Sequence, residues 1–159
     1  MTSRLRQEGV GFVDAAPRRY AFEAEVAAPR ERVFAAVTAD PSTWNWFPGL
    51  TAGGYEDPGA HGVGSRRWVR AMGIRYRETI LARDEPTRWV YRVDECSVPL
   101  VSALVEEWRF EDHNSATSVR WTFAVDPRSM YRLLVPAPRS IMGPMFRRAM
   151  RNLQAELSS

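Results

Sequence analysis

IRYRETILARDEPTRWVYRVDEC, residues 74–96, reads as two strands with a turn between them. Ile74, Tyr76 and Ile80 share one side of the first run, and Trp89, Tyr91 and Val93 one side of the second. A period of two marks half-buried strands, and Asp84-Glu85-Pro86-Thr87 carries turn chemistry. Runs of the same kind lie on both sides, at 65–72, 102–111 and 117–126. Gly73 and the loop Asp112-His113-Asn114-Ser115 separate them. Trp68 pairs with Met72, Leu104 with Trp108 and Phe110, and Val119 with Trp121, Phe123 and Val125. Consecutive strands on short connections make an antiparallel meander.

Upstream, Tyr20, Phe22, Ala24 and Val26 alternate in another strand beginning at Arg19. Pro29 then stands where a helix can start, with Glu31 in its first turn and Val33, Phe34 and Val37 at helical spacing. Asp40-Pro41-Ser42 reads as a fresh cap opening a second short helix that carries Trp44, Trp46 and Phe47, closed by Pro48-Gly49. Downstream, Met142, Phe146, Ala149, Leu153 and Leu157 form one apolar stripe on a helix from about Pro138 to Leu157. Gly143-Pro144 either kinks this helix or moves its start to about residue 143. Met130 to Pro136 reads as a short helical turn or a lid. Residues 1–18 form an arm or an extra strand, and 19–157 a single domain.

The 159 residues suffice for one core. Net charge is +3, from 22 basic residues, all Arg, interleaved with 19 acidic ones. So diffuse a footprint predicts no nucleic-acid partner. The densest basic spots, Arg66-Arg67 with Arg70 and Arg147-Arg148 with Arg151, read as solvated faces, as do Arg75, Arg77, Arg92 and Arg120 on the outer side of the sheet. Cys96 is the one cysteine, so no internal disulfide forms and a reducing compartment suits the chain. The first residues lack the apolar run of a signal peptide, and no stretch has the length of a membrane span. A cytoplasmic protein without integral membrane association is expected; the sequence sets no oligomeric state. His61 and His113 fall in separate turns with no metal-ligand spacing. Residues 59–64 do not follow the dinucleotide-binding pattern, and no serine sits in a nucleophile elbow. Neither metal nor cofactor is expected.

A strand, two short helices, a long meander and a terminal helix follow the order of helix-grip proteins. The chain resembles the START-type, birch-pollen-allergen-like (SRPBCC) superfamily, within it the polyketide cyclase/dehydrase-like branch. The residues that carry the likeness are Ala28-Pro29-Arg30-Glu31-Arg32-Val33-Phe34, Asp40-Pro41-Ser42-Thr43-Trp44, Phe47-Pro48-Gly49 and Gly62-Val63-Gly64-Ser65-Arg66. Glu78, the segment 84–88 and the segment 151–157 continue it. The resemblance implies an α+β helix-grip fold, with a curved antiparallel sheet of about six to seven strands around the long C-terminal helix. It also implies an internal cavity, since members carry lipids, sterols, polyketides or hormones, and some cyclise or dehydrate polyketides. Fold alone leaves the reaction open.

A curved sheet gripping one helix leaves an apolar hollow between them. Trp68, Tyr76, Trp89, Tyr91, Trp108 and Trp121 are assigned to its wall, with Met142, Met145 and Phe146 from the helix and Trp44 and Trp46 at the entrance. The plainer reading of each is ordinary core. Glu78 and Glu106 interrupt apolar alternation and should point inward; a buried carboxylate needs a partner. Arg70, on the side of Trp68 and Met72, is the candidate partner. Such a cluster would orient a ligand carbonyl or hydroxyl, or supply a catalytic base. A structural ion pair, or a register shifted by one residue, would give it no function. The first expectation is a binder of a small hydrophobic or amphipathic ligand of polyketide, lipid or isoprenoid type. The alternatives are a polyketide cyclase/dehydratase-type enzyme working in the same cavity and a protein-interaction module with a filled core.

Overall fold

The computed structural model describes residues 1–131 and 139–159. Its frame is one antiparallel sheet of eight strands: β1 (Ser3–Arg4), β2 (Arg18–Val26), β3 (Leu50–Tyr55), β4 (Arg66–Ala71), β5 (Ile74–Asp84), β6 (Arg88–Cys96), β7 (Val101–His113) and β8 (Ala116–Pro127). The lateral order is β2-β8-β7-β6-β5-β4-β3, with β1 paired to β6. Three α-helices accompany it, α1 (Phe12–Ala15), α2 (Arg30–Val37) and α3 (Arg139–Ser158). The fold is the expected helix grip: the sheet curves around α3, whose buried residues Phe146, Ala149, Met150 and Leu153 recur at helical spacing and join the main core.

Local chemistry fixes most of these elements. The β4–β5 hairpin turns on two residues, Met72 and Gly73, both with positive φ. That is the geometry a tight hairpin needs, and Gly73 adopts it without strain. Asp40 opens the short 3-10 turn Pro41–Thr43, its Oδ1 accepting from the Ser42 amide at 2.9 Å. The polypeptide then runs through Trp44–Phe47 without regular structure, so the second short helix expected there is only this turn. Strand β3 is Gly-containing, and Gly53 explains why. A Cβ there would meet Pro41 Cβ at 2.7 Å, so this strand holds the 3-10 turn against the sheet. Of the two alternatives at Gly143-Pro144, a kink or a later start, the later start does not hold: α3 begins at Arg139 and Pro144 lies within it. At Gly143 an added Cβ would lie in ordinary van der Waals contact with Phe22 of β2, at 3.7 Å, which places this turn of the helix directly on the sheet. Of the segment from Met130 to Pro136, read as a turn or lid, Met130 and Tyr131 end the 3-10 turn Ser129–Tyr131, while 132–136 lie outside the described residues.

The N-terminal arm is packed onto the sheet. Strand β6 pairs with β7 only through Arg92; beyond it, β1 pairs with Cys96 and Glu95. Leu5 N donates to Asp94 O at 2.9 Å and Arg6 N to Ser102 O at 2.8 Å, so the arm bridges the two diverging strands. On the convex face Phe12 and Val13 of α1 bury against Val90, Ala103, Val105 and Ala124 in a second, smaller core.

Candidate functional site

Between the concave face and α3 lies a chamber of about 180 Å³. Trp44, Tyr76, Tyr91, Trp108, Trp121, Met142 and Met145 line it, together with Phe47, Leu50, Val69, Ala71, Met72 and Phe123. Its polar wall is made by Arg67, Glu78 and Glu106. A second, more apolar chamber of about 250 Å³ opens between Tyr20, Cys96, Leu104, Val125 and Ile141. Tyr76, Phe123 and Met142 belong to both walls. Wider grooves on the outer face are bounded by polar and charged groups such as Arg4, Glu56, Arg77 and Glu95, and Arg77 is held there by Glu56 at 2.7 Å and Glu95 at 3.5 Å.

Other sequence-assigned residues stand elsewhere. Trp46 and Trp89 are fully enclosed in the core behind the chamber, and so is Phe146, which packs on Phe22, Trp108 and Trp121. Trp68 points to the convex face, where the Arg75 guanidinium lies 5.9 Å from its ring. Arg70 is exposed on that same face, so it is not the partner of the inward carboxylates. The partner is Arg67. It lies directly opposite Glu78 in the β4–β5 register, and its Nε donates to Glu78 Oε2 at 2.6 Å with both side chains buried. Strand β4 thus turns Arg67, Val69 and Ala71 inward, the reverse of the face expected from its tryptophan. His61 stacks on Tyr55 with ring centroids 3.6 Å apart, away from the chamber.

Arg67 is 1% exposed. Its guanidinium sits 4.5 Å from the Trp89 and Tyr91 rings and 5.1 Å from Trp44. The aromatic faces and Glu78 replace the water that such a charge loses on burial. Burial works against the cation, but Glu78 together with Tyr91 and Tyr55 outweighs it and holds the guanidinium charged. Glu106 is built differently. Tyr91 stands opposite it on β6 and Trp108 stacks on Trp121 across β7–β8. Glu106 Oε2 accepts from Tyr91 Oη at 2.5 Å and from Trp121 Nε1 at 2.8 Å, and Trp108 Nε1 donates to Tyr91 Oη at 3.3 Å. Among the described residues no cation is bonded to it. Burial, and then the charge of Glu78, push the Glu106 carboxyl up to about 7, against the pull of its two donors. Burial likewise raises Tyr91, which keeps its proton and remains the donor.

Residues 14–158 match the model of the family described as polyketide cyclase / dehydrase and lipid transport. The chain belongs to this family. Among relatives, an uncharacterized protein of Mycobacterium tuberculosis is 28% identical over 148 residues, covering 92% of this chain and 88% of the relative. Solved structures share the fold at low identity. A major latex-like protein of Panax ginseng superposes with a TM-score of 0.72 at 16% identity, over 87% of this chain and 96% of that one. A START superfamily protein of Mycobacterium smegmatis gives 0.69 at 14% identity, over 88% and 97%. As a polyketide cyclase / dehydrase and lipid transport family member, the chain has the hollow helix-grip frame, and no helix among the described residues is long and apolar enough to cross a membrane.

Proposed function

We propose that the chain binds a small, largely apolar molecule with one polar end in the chamber between the sheet and α3. The observation that carries this reading is the composition of the wall. Aromatic and Met side chains cover most of it, and three ionisable groups converge on it, two of them a buried pair and the third, Glu106, without a bonded cation. Apolar walls with a few placed polar groups are the ordinary make-up of small-molecule sites. Each chamber, about 180 and 250 Å³, is below the roughly 300 Å³ of a common small-molecule site, so the reading rests on a small ligand or on one that reaches past the side chains shared by both walls. The test is saturable binding of an apolar fluorophore, followed in the wild type and in Ala71→Phe, whose added ring occupies the chamber. Binding lost in the variant without a fall in melting temperature supports the reading; equal binding in both places the fluorophore elsewhere and defeats it.

A second reading, a cyclase/dehydratase-type enzyme, is favoured by Glu106 alone. A carboxyl poised at about 7 can both take and return a proton near neutrality. Turnover of a model poly-β-ketone that disappears in Glu106→Gln, with ligand affinity retained, would establish it. No turnover in the wild type would leave the protein a carrier.

A further inference from the structure

Two residues of the chamber wall carry buried polar hydrogens with nothing to receive them. Arg67 Nη1 and Trp44 Nε1 are both enclosed, and among the described residues both lack a hydrogen-bond partner. The Arg67 guanidinium lies over the face of the Trp44 ring, 5.1 Å from its centroid. Buried donors without acceptors are uncommon and costly, because folding strips their water and returns nothing. The nearby carboxylates are engaged elsewhere. Glu78 Oε2 takes the Arg67 Nε hydrogen, and Glu106 Oε2 takes those of Tyr91 and Trp121. What these donors lack is an acceptor, and a ligand oxygen with two lone pairs can supply one.

Charge decides which kind of oxygen. One buried guanidinium already faces two carboxyl groups, and Glu78 is bonded to it directly. A ligand carboxylate would bring a third acidic group into a space with one cation, with no further base among its wall residues. Burying such an uncompensated charge is heavily penalised. A ketone, ester or amide oxygen accepts the same two hydrogens without adding charge. Resting on the ligand-binding reading above, we infer that the chamber selects molecules presenting a neutral carbonyl oxygen to Arg67 Nη1 and Trp44 Nε1, and discriminates against ionised carboxylates of the same shape.

The experiment uses three probes of near-equal size on the full chain: acetylnaphthalene, isopropylnaphthalene and naphthoate. Affinities are measured by calorimetry at about pH 8, where naphthoate is ionised. The ketone is expected to bind about tenfold tighter than both the hydrocarbon and the carboxylate, the effect of hydrogen bonds to donors otherwise left unpaired. In Trp44→Phe, which keeps a ring and removes the N–H, the ketone-to-hydrocarbon ratio should fall at least about threefold. Infrared spectroscopy on the wild type needs no variant: the carbonyl stretch of the bound ketone should move to lower frequency than in an apolar solvent. Hydrocarbon and ketone binding alike, naphthoate binding best, an unchanged ratio in Trp44→Phe or an unshifted carbonyl band would each overturn the inference and leave the ligand-binding reading standing. If none of the three binds, that reading fails and takes the inference with it.

Discussion

Glu78 and Glu106 stand on the same wall, and burial raises both carboxyls, Glu78 against the pull of Arg67 and Glu106 against that of its two neutral donors. Glu78 has a guanidinium at 2.6 Å, whereas Glu106 has only neutral donors. Arg67 offsets part of what burying Glu78 costs, whereas Glu106 carries a pH-dependent cost with no cation bonded to it among the described residues. Removing only Arg67 leaves a buried charge unpaired, so Arg67→Met should lower stability by about 3–5 kcal/mol. The double variant Arg67→Met with Glu78→Leu removes both charges and should recover most of that loss in urea denaturation. For Glu106 the folded carboxyl titrates at about 7 against an ordinary 4.5. Below that ordinary value both states are protonated and the residue costs nothing. Between there and about 7 the unfolded chain releases its proton first, so stability falls as pH rises, reaching a loss on the order of 3 kcal/mol above neutrality. Glu106→Gln still offers a carbonyl oxygen to Tyr91 and Trp121 and cannot titrate. Melting curves should therefore converge for the two proteins near about pH 4.5 and separate toward about pH 8, with the variant more stable at the upper end. Curves that stay parallel would deny the raised value.

At the level of elements, the meander was legible because aromatic and β-branched residues alternate along each run, and β6 was read with its observed ends, 88 and 96. The terminal helix was legible from its stripe. The facing of β4 was not, because its own pattern is ambiguous: Arg66, Trp68 and Arg70 on one side, Arg67, Val69 and Ala71 on the other. Treating tryptophan as an inward residue chose the wrong side. The information lay in the hairpin. A two-residue turn at Met72-Gly73 pairs Val69 with Tyr76 and Arg67 with Glu78, and directly paired residues share a face. Tyr76 and Glu78 inward thus require Arg67 inward. Strand β3 and the arm's second core had no such signal, since Leu50–Tyr55 is short and glycine-bearing and Phe12-Val13 is a lone apolar pair. That pair carries an element-scale prediction. Phe12→Ala with Val13→Ala should cost about 3–5 kcal/mol, because both side chains are buried over Val90, Ala103 and Val105. Chamber affinity, measured with the same fluorophore, should be unchanged, as α1 packs on the opposite face of the sheet.

Across the whole molecule, the hollow is divided. The chambers of about 180 and 250 Å³ share Tyr76, Phe123 and Met142, one side chain each from β5, β8 and α3. The polar groups Arg67, Glu78 and Glu106 belong to the smaller chamber, and the larger is walled mostly by apolar side chains from Tyr20 to Ile141. A ligand with its polar end at Arg67 therefore meets Phe123, Tyr76 and Met142 on its way to the second chamber. On the ligand-binding proposal, their bulk, more than the total void, should set the length of molecule accepted. Phe123 is only half-buried, and its ring touches Trp121 edge-on at 6.1 Å. Phe123→Ala should accordingly cost about 2 kcal/mol, less than a fully buried aromatic, and merge the chambers. The expected outcome is a gain of about tenfold in affinity for a long-chain methyl ketone over the wild type, the scale of apolar surface newly enclosed. A naphthyl ketone, short enough for the first chamber, should change little. If the long ketone gains nothing although the variant stays folded, the two hollows do not act as one path, and ligand length is limited by something other than these three side chains.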